Sequence, residues 1–164
     1  MSDPDLLASL LDEGGHNPAS ETLLQGPAAA RTAVARGKVN LSATALERIR
    51  EGTLPKGDVL ASAQIAGILA AKQTSRLIPM CEDVLLTGVD LDLEINEADQ
   101  TVDIRAYVKT SGPTGVGMEA LTAVSIAALT ILDMCKSVDR GASITDIHLV
   151  AHTGGQAGLY RRTD

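Results

Sequence analysis

The stretch Thr114–Val138, TGVGMEALTAVSIAALTILDMCKSV, determines the fold that we predict for this chain. From Glu119 to Val138, the only charged residues are Glu119, Asp133 and Lys136. On a helix with about 3.6 residues per turn, these charged residues and the Thr and Ser residues between them fall within an arc of roughly 140°. The remaining arc is apolar, so the helix is buried on most of its sides. The stretch therefore predicts one long core helix that is entered through a glycine-rich turn.

The narrow polar stripe of this helix has two interpretations. It is either an ordinary solvent-facing surface or the wall of a polar pocket. Solvent-facing surfaces usually carry several Lys and Glu, whereas this one carries Asp133 and Lys136, which are three residues apart and therefore neighbours on one face. An Asp beside a Lys in a partly buried site keeps both groups charged and can serve as an acid/base pair. Both interpretations stay open at this point.

Alternation of apolar and polar residues before this helix predicts a β-hairpin. In Thr87–Asn96, and again in Thr101–Lys109, every second residue is apolar, and a short polar turn joins the two segments. Such alternation is typical of an antiparallel sheet with one face in water. Asp90, Asp92 and Glu94 lie on that wet face, and we interpret them as a solvated strand surface rather than a metal site.

The remaining elements complete a recognisable order. Arg31–Leu41 alternates weakly and is predicted to be the first strand, and Ile144–Ala151 is predicted to be the last. Between the first strand and the hairpin, Ser42 caps a short helix, and Asp58 begins a second helix over Val59–Leu77. This order predicts an α+β fold, the ferredoxin-like βαββαβ arrangement. Its four-stranded antiparallel sheet carries the helices on one face.

The chain is predicted to contain one folded domain and an appendage. Residues 1–30 form a partly disordered N-terminal appendage in this prediction, because after a short leucine stripe they carry turn formers and little periodicity. Residues 31–164 form the domain, which agrees with a total length of 164 residues.

Composition and charge narrow the classes of function. The net charge is −7, and the only aromatic residues are Tyr107 and Tyr160, so the chain lacks the basic surface and the stacking residues of nucleic-acid binders. Cys81 and Cys135 do not make a disulfide framework. No apolar run approaches the ~20 residues that span a membrane, and the N-terminus lacks the features of a signal peptide. We therefore expect a cytoplasmic protein without a nucleic-acid or membrane partner.

Several segments of the chain resemble a known family. They are KGDVLASAQIAGILAAKQTSRLIPMC (56–81), TGVGMEALTAVSIAALTILDMCKSV (114–138), the GG-x-x-G loop (154–158) and RTAVARGKVNLS (31–42). These segments are similar to the cyclic pyranopterin monophosphate synthases of molybdenum cofactor biosynthesis. The resemblance covers roughly residues 31–158. It implies a ferredoxin-like fold and a homo-oligomer, from a dimer to a hexamer built as a trimer of dimers, with active sites at subunit interfaces.

The resemblance also implies an activity and a set of site residues. The activity is that of a lyase that converts a cyclised dihydro-GTP into cyclic pyranopterin monophosphate and releases pyrophosphate. At the matching motif positions, Asp133 and Lys136 are the catalytic residues that transfer protons. The substrate-binding residues implied by the resemblance are Lys56, Lys72, Met80, Cys81, Glu82, Met118 and Glu119. The family is associated with Mg²⁺, although no spacing in this sequence identifies a set of metal ligands.

Several pocket positions depart from the family pattern. Glu82 stands where the family has the His of Cys-His-Pro, Gly117 where it has a Glu, and His152 and Gln156 where its terminal loop has lysines. Lys72 also keeps a structural alternative, in which its alkyl chain lies along the apolar edge of its helix. Two hypotheses therefore stay open. The chain is either a divergent synthase that acts on a GTP-derived nucleotide, or a paralogue that kept the fold and lost or changed the chemistry.

Overall fold

The computed structural model describes residues 30–153 and 158–163. The predicted appendage therefore lies outside the described residues except for Ala30, and its disorder stays a prediction. The elements are β1 (Arg31–Asn40), α1 (Ala43–Glu51), α2 (Val59–Ala71), α3 (Thr74–Leu77), β2 (Leu86–Asn96), β3 (Thr101–Thr110), α4 (Gly117–Cys135), β4 (Ser143–His152) and β5 (Tyr160–Arg161).

The sheet has the strand order β2-β3-β1-β4-β5, and all neighbouring strands are antiparallel. The first four strands, with their connecting helices, confirm the predicted ferredoxin-like βαββαβ arrangement. The fifth strand was not predicted. It contains only Tyr160 and Arg161, which pair with His152 and Ala151 of β4, and a strand of this length shows no periodicity in a sequence.

The predicted helix starts are confirmed, whereas one helix end was predicted wrongly. Ser42 accepts a hydrogen bond from the amide of Ala45, and Asp58 accepts one from the amide of Ala61, so both residues cap their helices. The helix that begins after Asp58 ends at Ala71 rather than at Leu77, because a turn separates α2 from the short α3.

Helices α2 and α4 pack together on one face of the sheet, and a glycine sets how closely they approach. A Cβ atom added at Gly67 would lie 2.3 Å from Cδ2 of Leu91 and 2.9 Å from the carbonyl oxygen of Ala123. The absence of a side chain therefore lets α2 lie directly against α4 and β2. The surrounding core consists almost entirely of Ala, Val, Leu and Ile, as the composition requires.

The sequence analysis expected no apolar segment close to the length of a membrane span, and helix α4 is such a segment. Its 19 residues are long and apolar enough to cross a membrane by length and composition. However, 56% of its apolar window is buried inside the protein, where it contacts α2, β1, β3 and β4. This burial is what a core helix of a folded domain shows.

The strand at one edge of the sheet is partly covered by a side chain. Among the residues that the structure describes, strand β2 has a neighbouring strand on one side only, which is β3. Gln64 of α2 donates a hydrogen bond of 2.8 Å from Nε2 to the backbone carbonyl oxygen of Leu91 in β2. Helix α2 thus supplies a hydrogen-bond donor to the edge strand against which it packs.

Candidate active site

A cluster of three charged residues lies at the C-terminal end of α4. One carboxylate oxygen of Asp133, Oδ2, is 2.6 Å from Nζ of Lys56, and the other, Oδ1, is 2.7 Å from Nζ of Lys136. All three side chains are about half exposed. Because two ammonium groups surround one carboxylate, the cluster carries a net positive charge and is suited to an anionic ligand.

Local backbone geometry places Lys56 in this cluster. The turn before α2 is closed by a hydrogen bond from the amide of Gly57 to the carbonyl oxygen of Leu54. Gly57 has a φ of 94°, which favours glycine because other residues are strained there. The turn directs the Lys56 ammonium group to the end of α4, where it also lies 3.3 Å from the backbone oxygen of Asp133. A cation at the C-terminus of a helix is favourable.

The two lysines determine the ionisation of Asp133. Hydrogen bonds from Lys136 and then from Lys56 lower the pKa of the Asp133 carboxyl group from 3.8 to about 2. Asp133 is therefore ionised at neutral pH and accepts hydrogen bonds, while the two ammonium groups donate them. If a ligand draws one lysine away, the freed carboxylate oxygen becomes a stronger base.

A second cluster lies at the other end of the same helix. Glu119, in the first turn of α4, is only 3% exposed, and the thiol of Cys81 donates a hydrogen bond to its Oε1 over 3.6 Å. Burial and the neighbouring charge of Glu119 raise the pKa of the Cys81 thiol. Glu82, Met80 and Met118 lie beside these residues in sequence and are exposed.

The two clusters are separated by the length of the helix. Glu119 and Asp133 are fourteen residues apart on α4, which corresponds to about 21 Å along the axis. Lys56 precedes α2, and Lys72 is the C-cap of that helix. Because Lys56 reaches the C-terminal end of α4, α2 runs antiparallel to α4. Lys72, which is an exposed residue, therefore lies toward the Glu119 end. One chain therefore groups the predicted site residues into two half-sites.

Two of the positions that depart from the family pattern have defined surroundings, and a third lies outside the described residues. The ring of His152 stacks on Tyr160 of β5, with centroids 5.3 Å apart. Gly117 lies against β4, where an added Cβ atom would be 3.1 Å from Cδ1 of Leu149. Gln156 falls in the undescribed segment 154–157. His152 is thus held by a contact that sequence reasoning did not predict.

Two further contacts within the half-sites were not predicted from the sequence. The resemblance assigned Lys56 to the nucleotide, and it did not pair Lys56 with Asp133. It likewise did not pair Cys81 with Glu119. The residues of these pairs are 77 and 38 positions apart, and no local pattern reports such contacts. Only the cap at Asp58 and the glycine after Lys56 indicated a tight turn at this point.

The described residues contain no preformed cluster of metal ligands. Within 30–153 and 158–163, no three His, Cys, Asp or Glu residues converge as metal ligands would. Both carboxylate oxygens of Asp133 are bound by ammonium groups. Mg²⁺ is held in proteins by one or two carboxylates together with water and phosphate oxygens, and the two lysines leave no free carboxylate oxygen on Asp133.

The fold and the half-sites together define the class of protein: a ferredoxin-like α+β domain with clusters of ionisable side chains at both ends of one core helix. More specifically, the chain belongs to the MoaC family, whose model matches residues 24–155. A protein from Salinibacter ruber named cyclic pyranopterin monophosphate synthase is 52% identical over 161 residues, which cover 98% of this chain and 94% of that protein. A protein of the same name from Desulfitobacterium hafniense is 57% identical over 134 residues, covering 82% of both chains.

Among solved structures, a de novo designed protein with a ferredoxin fold matches with a TM-score of 0.41 and 15% identity. The match covers 81% of this chain and 96% of that chain.

Proposed function

We propose that this chain is a lyase of molybdenum cofactor biosynthesis. In this proposal it converts a cyclised dihydro-GTP into cyclic pyranopterin monophosphate and releases pyrophosphate. The observation that carries the proposal is the cluster of Asp133 with Lys56 and Lys136. Membership of the MoaC family and the names of relatives that are about half identical in sequence support the same activity.

The chemistry of the substrate suits this cluster. A cyclised nucleotide triphosphate is a polyanion, and binding it requires cations from several segments of the chain. We propose that the phosphates attract Lys56 away from Asp133, which raises the pKa of that carboxyl group from about 2 toward its ordinary value. Asp133 then accepts a proton from the substrate, and the Lys136 ammonium group donates one as the bonds rearrange.

We further propose that a second copy of the chain completes the site. The half-sites are about 21 Å apart along α4, which is longer than the reacting part of one nucleotide. A copy related by a two-fold axis near Ile126, midway between Glu119 and Asp133, would bring the Glu119 half-site of one copy to the Asp133 half-site of the other. Leu129 is an exposed apolar residue on the intervening surface of α4. The assembly that we propose ranges from a dimer to a hexamer, and its location is the cytoplasm.

In this composite site, the residues of the Glu119 half-site hold the substrate. Lys72 contributes positive charge toward the phosphates. The exposed side chains beside the half-site contact the base and ribose, and buried Glu119 positions the thiol of Cys81. These contacts fix the substrate relative to Asp133, and positioning of this kind supplies much of the rate in rearrangements of bound molecules.

A second candidate function is that of a paralogue with lost or altered chemistry. The observation that favours it is Glu82, an exposed carboxylate at a position where the family has a histidine. A carboxylate repels phosphate and does not replace an imidazole as a proton carrier at neutral pH. Such a chain would bind another small ligand or join an assembly as a non-catalytic subunit.

Incubation of the purified chain with the cyclised dihydro-GTP distinguishes the two candidates. The synthase should release pyrophosphate and yield a pterin that fluoresces after oxidation. Asp133→Asn and Lys136→Ala should abolish both signals, whereas Asp99→Asn, an exposed carboxylate in the β2–β3 turn, should leave them unchanged. No product at high enzyme concentration would favour the paralogue. Product that appears only in Glu82→His would show that this substitution removed the activity.

A further inference from the structure

We propose that residues 3–13 of this chain dock on an exposed apolar surface around the start of α4. This docking segment, DPDLLASLLDE, precedes the described residues, and the surface that it covers lies within them. The docking does not depend on the reaction proposed above. Its effect on substrate binding does rest on that reaction, because the surface includes the Glu119 half-site.

Exposed apolar side chains are concentrated at this end of the domain. Among the described residues, ten large apolar side chains are exposed, and six of the ten lie here. Met80 and Leu85, in the loop after α3, are 95% and 83% exposed. Groups of exposed apolar side chains mark the places where another segment or molecule binds. The six residues, which we call the apolar end, are Leu77, Met80, Leu85, Met118, Leu159 and Tyr160.

Contacts between segments bring the residues of the apolar end together. The hydrogen bond between Cys81 and Glu119 places the loop that contains Met80 beside the first turn of α4, which contains Met118. Helix α3, which ends at Leu77, also contacts α4. The apolar surface thus extends from α3 across the start of α4.

The chain enters the domain at the same end. Arg31, Thr110 and Leu86 form one row across the sheet, so Arg31 lies two strand spacings, roughly 10 Å, from Leu86. Leu86 directly follows the exposed Leu85. Residues 12–29 span up to about 60 Å when they are extended. The docking segment is therefore long enough to reach every part of the apolar end.

Strand β5 belongs to this end of the domain as well. Tyr160 pairs with His152 of β4, and His152 pairs with Ala33 near the start of β1. Arg161 and Arg162, which follow Tyr160, are exposed. Strand β5 thus adds both apolar and cationic side chains to the region where the chain enters the domain.

The charge of the apolar end is opposite to that of the docking segment. The docking segment contains four carboxylates and no Lys or Arg. Lys72 and Arg76 are exposed, and neither makes an ion pair among the residues that the structure describes. Together with the two arginines of β5, they outnumber the exposed carboxylates Glu82 and Asp83. Such complementary charges steer an acidic segment to this surface.

The docking segment also has apolar side chains that suit the surface. Its leucines occupy positions 6, 7, 10 and 11, with carboxylates on both sides of them. These positions share one face of a helix. Because the segment is tethered to the domain, its effective concentration at the surface is about 1 mM. Contacts that are too weak to hold a free peptide therefore keep the segment docked.

Docking at the apolar end opposes substrate binding in the reaction proposed above. The segment presents carboxylates to Lys72, which we assign to the phosphates, and it covers Met80 and Met118. A polyanionic nucleotide has to displace the segment before it reaches these side chains. The N-terminal segment thus lowers the affinity of the chain for its substrate.

Oxidation of methionines by hydrogen peroxide tests the docking in the full chain, because mass spectrometry gives a separate rate for each sulfur. In the stripe variant, Leu6, Leu7, Leu10 and Leu11 are all replaced by Ser. The oxidation rate of Met80 should rise at least about threefold, since a segment that is docked for about two-thirds of the time shields the sulfur for that time. An unchanged rate of Met80 would overturn the proposal.

A matched control variant and a buried methionine keep this test independent of folding. Leu23→Ser with Leu24→Ser changes leucines outside the docking segment and should leave the rate of Met80 unchanged. Met134 is buried and should be oxidised slowly in every variant that is folded. An equal rise of the Met80 rate in the control variant would contradict docking through the four leucines.

A synthetic peptide of residues 1–15 provides a direct test of contact. At about 1 mM, the effective concentration of a tethered segment, it should slow the oxidation of Met80 in the stripe variant. The same peptide with Ser at the four leucine positions should not. A wild-type peptide that leaves the rate of Met80 unchanged would refute the contact.

Steady-state kinetics with the cyclised dihydro-GTP test the effect on the substrate. The stripe variant should show a lower KM and an unchanged kcat, because the segment no longer competes with the nucleotide. An equal KM in the stripe variant and the wild type would overturn the competition. Absence of turnover in both chains would contradict the proposed function alone, because the Met80 rates decide the docking without it.

Discussion

Lys56 donates a hydrogen bond of 2.6 Å to Asp133 although the two residues are 77 positions apart in the sequence. The bond joins the turn that begins α2 to the end of α4. It also leaves Asp133 with an ammonium group on each of its oxygens, because Lys136 binds the other one. The cluster of two lysines around Asp133 is therefore completed by tertiary structure, because Lys56 comes from a distant segment of the chain.

Asp133→Asn should reduce turnover by at least about 100-fold, because an amide cannot accept the proton that we assign to this carboxylate. The variant should still fold, since the side chain is about half exposed. Steady-state release of pyrophosphate measures the effect. Asp99→Asn serves as the control, and a turnover in Asp133→Asn that equals that of the control would refute the assigned role.

Asp133 should titrate with a midpoint of about 2 in the folded chain, below the ordinary value of 3.8. Because the folded-state pKa is lowered, the pairing stabilises the fold fully above about pH 4 and is lost as the pH falls toward 2. Lys56→Ala should move the midpoint upward. NMR titration of the Asp133 carboxyl carbon measures both midpoints, and an unchanged midpoint in Lys56→Ala would exclude the contribution of Lys56.

Cys81 should react slowly with iodoacetamide at pH 8, because burial and Glu119 raise the pKa of its thiol and only the thiolate reacts. Glu119→Gln removes the neighbouring charge and should increase the rate by roughly several-fold. Cys135 is buried, with a pKa of about 11, and serves as an internal control. Faster modification of Cys135 in the variant would indicate unfolding, and equal Cys81 rates in variant and wild type would remove Glu119 as a cause.

Gly67→Ala should destabilise the chain by about 1–3 kcal/mol, because the new Cβ atom has no room between α2, α4 and β2. Its distance of 2.9 Å to the backbone oxygen of Ala123 requires the helices to separate. Urea denaturation measures the free energy of unfolding. Gly115→Ala is the matched control, since a Cβ atom there meets nothing within 4 Å. Equal stabilities of the two variants would show that the helix pair adjusts without cost.

The fold was predictable from the sequence because its elements have distinct periodicities. The alternation in β2 and β3 and the apolar arc of α4 depend on neighbouring residues, and so do the caps at Ser42 and Asp58. The break between α2 and α3 was not predictable in this way. A turn after Ala71 interrupts a segment whose composition favours helix throughout, and only Pro79 indicated an end.

The candidate site was predictable only as a set of residues. Asp133 and Lys136 share one helical face and could be paired from their spacing. Lys56 joins them through the packing of α2 on α4, which the sequence does not report. The burial of Glu119 was also unexpected, because its polar side chain belongs to the stripe that contains the exposed Asp133. It contacts Cys81, from the loop after α3, which is a partner that the sequence pattern of the helix does not show.

The hydrogen bond from Gln64 to the edge strand has a consequence for the behaviour of the chain at high concentration. An uncovered edge strand can recruit strands from other molecules and so begin aggregation. On β2 the carbonyl of Leu91 is already bound by Gln64, and the acidic side chains of the strand would repel their counterparts on an identical strand. Both features oppose edge-to-edge joining of copies of this chain at β2, and Gln64→Ala should make the chain more prone to form fibrils.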